Sequence, residues 1–189
     1  KLGADNAHYL TPTVPPPMSG QNKKVLREAF GSFATGITVV ATRQADGTRR
    51  GFTANSFTSV SLDPPLVLIC IAKTGLSYEV FRTSTCFSVN VLSDAQRDIS
   101  KIFASQSANK FDLGEWTHGA AEMPVLRDAL ANFICQRENL VEAGDHVIMI
   151  GRVLDMQIQQ GAPLGYFKGN YFSVGLDQSL ISAVPNPAP

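Results

Sequence analysis

The chain has 189 residues, of which 44% are hydrophobic, and its 16 basic and 16 acidic residues cancel to a net charge of zero. A chain of this length and composition buries one sizeable core and is expected to form a single domain. Because the charges balance and no run of like charge forms a tail, nucleic acid and anionic membranes are disfavoured as partners, and small molecules are favoured.

The three cysteines, Cys70, Cys86 and Cys135, are odd in number and lie in apolar surroundings without the close Cys or His spacing of a metal site. They predict reduced thiols in the cytoplasm, and no metal is expected. No apolar stretch reaches the roughly 18 residues needed to span a bilayer. Residues 1–20 lack the apolar core of a signal peptide, so we expect a soluble chain.

Proline-rich segments are expected to flank the folded part of the chain. Prolines at positions 12, 15, 16 and 17 block regular hydrogen bonding and favour extended geometry. Residues 1–22 are therefore predicted to form an extended arm, and the proline-rich residues 177–189 a tail. The domain itself is expected to span residues 23–176.

The first predicted element is a helix from Lys23 to Phe33, because its apolar residues recur at spacings of three and four. The β-branched run from Ile37 to Thr42 predicts a strand. Turn residues from Ala45 to Thr48 lead into a returning strand, so a hairpin is expected.

A strand from Phe52 to Ser59 is expected next, followed by a diproline turn and a wholly apolar strand from Pro65 to Ile71. A short helix over 77–81 precedes a predicted strand from Cys86 to Leu92. Ser93 and Asp94 are suitable caps for a helix that runs toward Phe103.

The second half of the chain is predicted to be richer in strands. The segment 111–123 has little periodicity and is expected to be a long loop that covers a ligand. Strands are predicted over 129–140 and 145–157, with a turn at Gly144 and Asp145, and a last strand lies around 166–168. Six or seven short strands with few helices favour a small closed or split β-barrel over a parallel α/β sheet, with pairing directions left open.

The segment 52–59 carries the first candidate chemistry. Side chains alternate along a strand, so its polar residues are expected on both faces, with Thr53 and Asn55 on one and Ser56 on the other. Polar groups beside a core persist only when something accepts their hydrogen bonds, and a planar ligand with many acceptors would suit. A solvent-exposed strand is the alternative interpretation.

Two further groups follow the apolar strands. Lys73, Thr74 and Ser77 place one charge and two hydroxyls where an anion could bind, although a lysine in a turn is often only solvated. His146 stands at the start of a strand, where a single histidine is often an ordinary surface or core residue. Dinucleotide and P-loop glycine motifs are absent from the sequence, as is a serine nucleophile elbow.

From Leu26 to Tyr171 the chain resembles the short-chain flavin reductases, the reductase components of two-component flavin monooxygenases. The resemblance is carried by ordered blocks along the chain. These blocks are Phe33–Val40, Thr53–Ser56, Ser61–Leu68, Val89–Leu92, Phe103–Ala104 and Gly144–His146. Gly165 departs from the family pattern, in which a bulkier apolar residue is common.

The resemblance implies a mainly β fold, the FMN-binding split β-barrel, assembled as a homodimer. It implies an NAD(P)H-dependent flavin reductase that transfers hydride from NADH or NADPH to FMN or FAD and supplies reduced flavin to a separate monooxygenase. The choice of flavin, of dinucleotide and of partner stays open. The alternatives are a flavin-binding electron carrier without free-dinucleotide turnover and a ligand-free β-barrel interaction module.

The resemblance also implies roles for individual residues. It assigns the flavin ring to the segment Thr53–Ser56 and the flavin phosphate end to Lys73 and Ser77, and it places His146 beside the incoming dinucleotide as a positioning group. The cofactor-binding residues that it implies are Thr38, Thr53, Ala54, Asn55, Ser56, Cys70, Ile71, Lys73, Ser77, Asn90, Ser100, Phe103 and Tyr166. Tyr166 belongs to a closing aromatic motif whose alternative role is barrel packing.

Overall fold

The computed structural model describes residues 22–175, so the predicted arm, apart from Asn22, and the predicted tail lie outside the described residues. Its helices are α1 (Lys23–Phe30), α2 (Tyr78–Thr83) and α3 (Arg97–Ala104). None of them has the length and apolar character needed to cross a membrane. Helix α1 ends at Phe30 and not at Phe33 as predicted, because the chain turns at Gly31, and Phe33 is left 77% exposed.

Strands dominate the chain, which confirms the predicted mainly β class. In chain order they are β1 (Thr35–Gly36), β2 (Thr38–Arg43), β3 (Arg49–Ala54), β4 (Thr58–Leu62), β5 (Pro65–Ala72), β6 (Cys86–Val91), β7 (Trp116–His118), β8 (Pro124–Leu126), β9 (Ala131–Ala143), β10 (His146–Ile158), β11 (Leu164–Phe167) and β12 (Asn170–Ser173). Every pairing between them is antiparallel.

Seven of these strands form one sheet in the order β3-β2-β6-β9-β10-β5-β4. Its edge strands, β3 and β4, are joined by the three residues 55–57 and do not pair with each other. The step from Ala54 to Thr58 spans at most about 14 Å, so the sheet must curl until its edges almost meet. The result is a barrel that is split between β3 and β4.

The split corrects the prediction of a continuous strand over 52–59. The chain leaves the sheet at Asn55, which is exposed, and re-enters it at Thr58 on the opposite edge. Phe57 stacks on Phe133 with ring centroids 5.6 Å apart and so anchors the crossing segment. Local strand propensity could not show this break, because it is imposed by closure of the whole sheet.

The predicted loop over 111–123 is only partly a loop. Strand β7 lies inside it and pairs with β8 as a separate two-stranded sheet. Trp116 on β7 packs against Phe103 and Phe111, with ring centroids 5.2 and 4.9 Å away. The unpredicted strand β12 continues past the turn at Gly169 and pairs with β11.

The core has two main parts. The first fills the barrel and includes the fully buried side chains of Ile69, Phe81, Phe87 and Met149. The second lies between the barrel, α3 and β11, and it is centred on Phe103, which is 1% exposed. Helix α3 is thereby fixed against β3, where the candidate site forms.

Candidate functional site

A cleft of about 400 Å³, here called the Thr53 cleft, opens where β3, β5 and α3 end near one another. Thr53 of β3 and Ile71 of β5 lie along its wall. Ser77 borders it from the loop before α2, and Phe103 and Lys110 border it from α3 and the segment that follows. Four predicted residues, Thr53, Ile71, Ser77 and Phe103, therefore share one cavity.

The hydroxyl groups around this cleft hold its walls together. Thr53 Oγ1 donates to the carbonyl of Ser100 at 2.6 Å, and Ser77 Oγ donates to the carbonyl of Gly51 at 3.4 Å. Ser100, which is fully buried, pairs through its own Oγ with the Tyr171 hydroxyl at 3.0 Å. The structure thus places Ser100 behind the wall, and a ligand meets Thr53 and Ser77 as oxygen acceptors whose protons are already engaged.

Lys110 supplies the charge at one end of the cleft. Its Nζ donates to the carbonyl of Phe103 at 2.9 Å and reaches that of Gly51 at 3.5 Å. Burial lowers the pKa of this ammonium group below its ordinary value. No carboxylate within residues 22–175 forms an ion pair with it. A partly desolvated cation without a carboxylate partner is suited to an anionic ligand group.

Sequence reasoning missed Lys110 and assigned the charge to Lys73 instead. Lys73 Nζ donates to the carbonyl of Gly144 at 2.8 Å and forms a close ion pair with Glu142, whose hydrogen bond raises the lysine pKa. Its charge is therefore already balanced, and it does not line the Thr53 cleft. No local signal marks Lys110, because it follows a polar loop that is typical of a solvated surface.

A second cleft of about 360 Å³, the arginine cleft, adjoins the first. The two share Leu76, Ser77, Gln106 and Lys110 as lining residues. The arginine cleft adds Arg49 and Arg50 from the start of β3, together with Phe111. The Arg49 guanidinium lies 4.6 Å from the centroid of the Phe111 ring.

Three other predicted cofactor-binding residues face another opening. Thr38, Asn55 and Ser56 line a groove of about 440 Å³ at the split of the barrel, here called the Asn55 groove. Ser56 Oγ accepts a hydrogen bond from the Cys70 N–H at 2.9 Å, so Ser56 and Cys70 tie the crossing segment to β5. Ala54 is 7% exposed and belongs to the core. Seven of the thirteen predicted cofactor-binding residues are therefore divided between two cavities, and the other six line neither.

Asn90, which the resemblance assigned to flavin binding, lies inside the protein. It is fully buried on β6, where its Nδ2 donates to the Val39 carbonyl at 3.0 Å. Its Oδ1 accepts from the Leu126 N–H at 2.9 Å and from Asn132 Nδ2 at 2.8 Å. Every polar end of this amide has a protein partner, so Asn90 stabilises the junction of β6, β8 and β9, and it lines neither the two clefts nor the Asn55 groove.

Tyr166 lies in the second core and forms an edge-on contact with Tyr171, their centroids 5.4 Å apart. This contact favours barrel packing as the role of Tyr166. The unusual Gly165 has a steric reason, since a Cβ there would approach the Phe172 ring to 2.4 Å. Phe172 occupies the space of a larger side chain.

His146 begins β10 and pairs with Ala72, the last residue of β5 and a lining residue of the Thr53 cleft. Its side chain is 45% exposed, and Nδ1 lies 2.8 Å from Asp145 Oδ1. That hydrogen bond lowers the pKa of Asp145, and it fixes the ring so that Nε2 is left for another partner. The ring is therefore held by its neighbour, and His146 itself does not line the Thr53 cleft.

Two further observations bound the site. A larger groove of about 630 Å³ lies between α1 and the turn before β12, and it contains none of the predicted residues. Across the part of the chain that the structure covers, no three His, Cys, Asp or Glu side chains cluster as metal ligands would.

Comparison with known proteins identifies the class. Residues 30–175 match the family described as "Flavin reductase like domain". The chain belongs to this family. The expected resemblance is therefore confirmed over most of the described residues.

Individual relatives carry names of flavin reductases. The chain is 46% identical over 157 residues to the reductase component of the flavin-dependent trigonelline monooxygenase of Acinetobacter baylyi, covering 82% of this chain and 51% of that protein. It is 37% identical over 166 residues to the FMN reductase (NADH) SmoA of Agrobacterium fabrum, covering 88% and 91%. Some relatives are longer, and the chain spans about half of their length.

A solved structure shares the fold. The NADH:FAD oxidoreductase SgcE6 of Streptomyces globisporus, determined with NAD and FAD fragments, superposes with a TM-score of 0.79 at 34% identity. The match covers 86% of this chain and 99% of that one. The split barrel described above is therefore the fold of an NADH:FAD oxidoreductase as well.

Proposed function

We propose that the protein is an NAD(P)H:flavin oxidoreductase that reduces FMN or FAD by hydride transfer and supplies the reduced flavin to a separate monooxygenase. The observation that carries this proposal is the Thr53 cleft, which joins a wall containing small side chains to a cation that has no carboxylate partner within residues 22–175. The named activities of the relatives support it.

The residues of this cleft fit a phosphorylated flavin. Thr53 and Ser77 leave oxygen acceptors at its wall, and Ile71 adds apolar surface for a ring. Lys110 provides the positive charge that a phosphate requires. A cavity of about 400 Å³ is within the usual size of small-molecule sites.

Bound flavin supplies the redox chemistry, and the chain contributes position and exclusion of water. The Thr53 wall would contact one side of the ligand, and the residues Gly75 to Ser77 line the same cleft. Hydride transfer requires two rings at near-contact distance more than it requires an acid or a base. A moderate number of contacts also lets product leave, as a diffusing reductant must.

His146 is proposed to position the dinucleotide. It lies across the β5–β10 pairing from Ala72, and its orientation is fixed by Asp145. His146→Ala is expected to raise the KM for the dinucleotide more than the KM for flavin in steady-state assays. A larger effect on the flavin KM would contradict this role.

The homodimer is proposed from exposed apolar surface on strands β4 and β10. Leu62 is 94% exposed, and Leu154, Met156 and Ile158 are each more than half exposed along one end of β10. Several large apolar side chains exposed on strands of one sheet are the kind of surface that often marks a protein interface. Light scattering is expected to give the mass of two chains, and Met156→Lys is expected to lower it, with Lys101→Met as a surface control.

A cytoplasmic location is proposed as well, because Cys70, Cys86 and Cys135 are all unpaired. A flavin-dependent oxygenase in the same compartment is the proposed consumer of the reduced flavin. The partner is expected to accept flavin by diffusion and to need no stable complex with this chain.

The deciding experiment is anaerobic mixing of the purified protein with NADH or NADPH and with FMN or FAD. Dinucleotide absorbance should fall catalytically, with many turnovers per protein, in at least one of the four combinations. Flavin binding without turnover in all four would favour the electron carrier. No flavin fluorescence change on titration would favour the interaction module.

A further inference from the structure

The arginine cleft has no role in the function proposed so far. Arg49, Arg50 and Lys110 all line it, and none of the three forms an ion pair with a carboxylate between residues 22 and 175. Among the residues that the structure describes, no Asp or Glu lines this cleft or the Thr53 cleft. Three cations of one sign around a concave surface concentrate positive potential where only an anion would compensate it.

The position of Lys110 connects the two cavities. It lies in their shared wall with Leu76, Ser77 and Gln106, so an anion bound beside it can continue into either one. A ligand with one phosphate needs only Lys110. The two arginines offer further charge for a second phosphate that follows the first.

Arg49 is held in place for this task. Its guanidinium lies over the Phe111 ring at 4.6 Å, a cation–π contact that fixes the planar group and leaves its N–H donors at the cleft. Phe111 in turn packs edge-on against the buried Phe103, with centroids 5.0 Å apart. An arginine held against an aromatic ring that itself packs on the core is a better phosphate ligand than a freely rotating one.

Leu76 supplies the remaining surface. It is 74% exposed on the rim common to both clefts, where an apolar side chain gains nothing from water. An adenine base that follows a second phosphate would cover such a side chain. The two clefts therefore offer positive charge for a pyrophosphate and, beside it, apolar surface for a base, as FAD would require.

We propose that the arginine cleft binds the second phosphate and the adenosine end of FAD, which makes FAD the preferred flavin of this enzyme. This inference rests on the proposed function, because it requires that flavin bind in the Thr53 cleft. The alternative occupant of the cleft is the extra ribose phosphate of NADPH, and the test must separate the two.

The test is equilibrium binding of riboflavin, FMN and FAD, followed by flavin fluorescence, because this series adds one phosphate at a time. The wild-type protein should bind FAD more tightly than FMN. Arg49→Ala and Arg50→Ala should each weaken FAD by about tenfold, as expected for the loss of one charge-assisted hydrogen bond. Binding of FMN should change less than about twofold, since its single phosphate is assigned to Lys110.

Matched variants make the result specific. Arg127→Ala removes an exposed arginine that pairs with Glu115 away from both clefts, and it should leave every flavin affinity unchanged. Arg49→Lys keeps the charge and should restore part of the FAD affinity. Circular dichroism melting of each variant should match the wild type, because neither arginine is buried.

Several outcomes overturn the inference. Equal losses for FMN and FAD would place the arginines at the first phosphate, and unchanged FAD binding would remove them from the site. A raised KM for NADPH with unchanged FAD affinity would assign the cleft to the dinucleotide. Failure of the wild-type protein to bind any flavin would instead defeat the proposed function, which is a different result.

Discussion

Asn90 and Lys110 are both polar groups drawn into the protein, yet their surroundings differ in one respect. Asn90 has a partner for each polar end of its amide, from β2, β8 and β9. Lys110 touches two carbonyl oxygens and no carboxylate of the described chain, and it faces an open cleft. A satisfied polar group stabilises the fold, whereas an incompletely compensated one at a cavity is available to a ligand.

The largest expected effect tests the Asn90 side of this comparison. Asn90→Ala leaves the Leu126 N–H, the Val39 carbonyl and Asn132 without their partner in the core. The free energy of unfolding should fall by about 3 kcal/mol, measured by urea denaturation. Asn139→Ala is the control, because its side chain is exposed and bonds only to the next N–H. Loss of flavin binding at unchanged stability would show that Asn90 contacts ligand.

Gly51 lines the arginine cleft and packs closely against Phe103 of the Thr53 cleft, so a substitution there should disturb both. A Cβ at this position would lie 2.7 Å from Phe103 Cε1 and 3.0 Å from the Val40 carbonyl oxygen. Gly51→Ala should cost about 1–3 kcal/mol of stability, as overpacking does, and weaken flavin binding by moving Phe103. Gly36→Ala meets no atom within 4 Å and serves as the stability control. A thermal melt unchanged by Gly51→Ala would refute the close packing.

Lys110→Met tests the other side of the comparison. The affinity for FMN should fall about tenfold, because a charge-assisted contact to phosphate is lost. Riboflavin affinity should not change, and stability should be kept, since the removed charge was partly desolvated. Lys101→Met is the control, because this lysine lines neither cleft and forms an exposed ion pair with Asp98. Equal losses for FMN and riboflavin would argue against a phosphate at Lys110.

The smallest effect concerns Asp145 and His146. The hydrogen bond from His146 lowers the pKa of Asp145 in the folded protein below 3.8. A depressed carboxyl pKa contributes stability above the unfolded value, and that contribution is lost as pH falls through the folded value. Asp145→Asn should therefore lower the Tm slightly at pH 7 and not at strongly acidic pH. A difference that grows in acid would show the opposite sign.

Much of the fold was predictable from local pattern. The β-branched and apolar runs located the central strands β2, β5 and β6, and the Gly144 turn located the junction of the long strands β9 and β10. What escaped prediction was set by distant contacts. The break at 55–57 comes from closure of the sheet, and no property of these three residues announces it.

The candidate site was predictable in part for the same reason. Thr53, Ile71, Ser77 and Phe103 were assigned through the family resemblance and do share a cleft. The ion pair of Lys73 with Glu142 was not predicted because Glu142 is distant in sequence. The burial of Asn90 in the middle of the sheet was not predicted because its sequence neighbours do not show it. The role proposed for Lys110 depends on its position against Gly51 and Phe103, which are distant in sequence or fixed by the fold.

The short link between β3 and β4 has a consequence for how the barrel is held shut. β3 and β4 are not paired by backbone hydrogen bonds, so the three-residue link 55–57 is what connects the two edges of the sheet directly. Cleavage of the chain at 55–57 would keep every strand pairing of the sheet but would allow the edge strands β3 and β4 to separate. Inserting residues into this link would let β3 and β4 move apart gradually, so the length of the link sets the width of the opening between them.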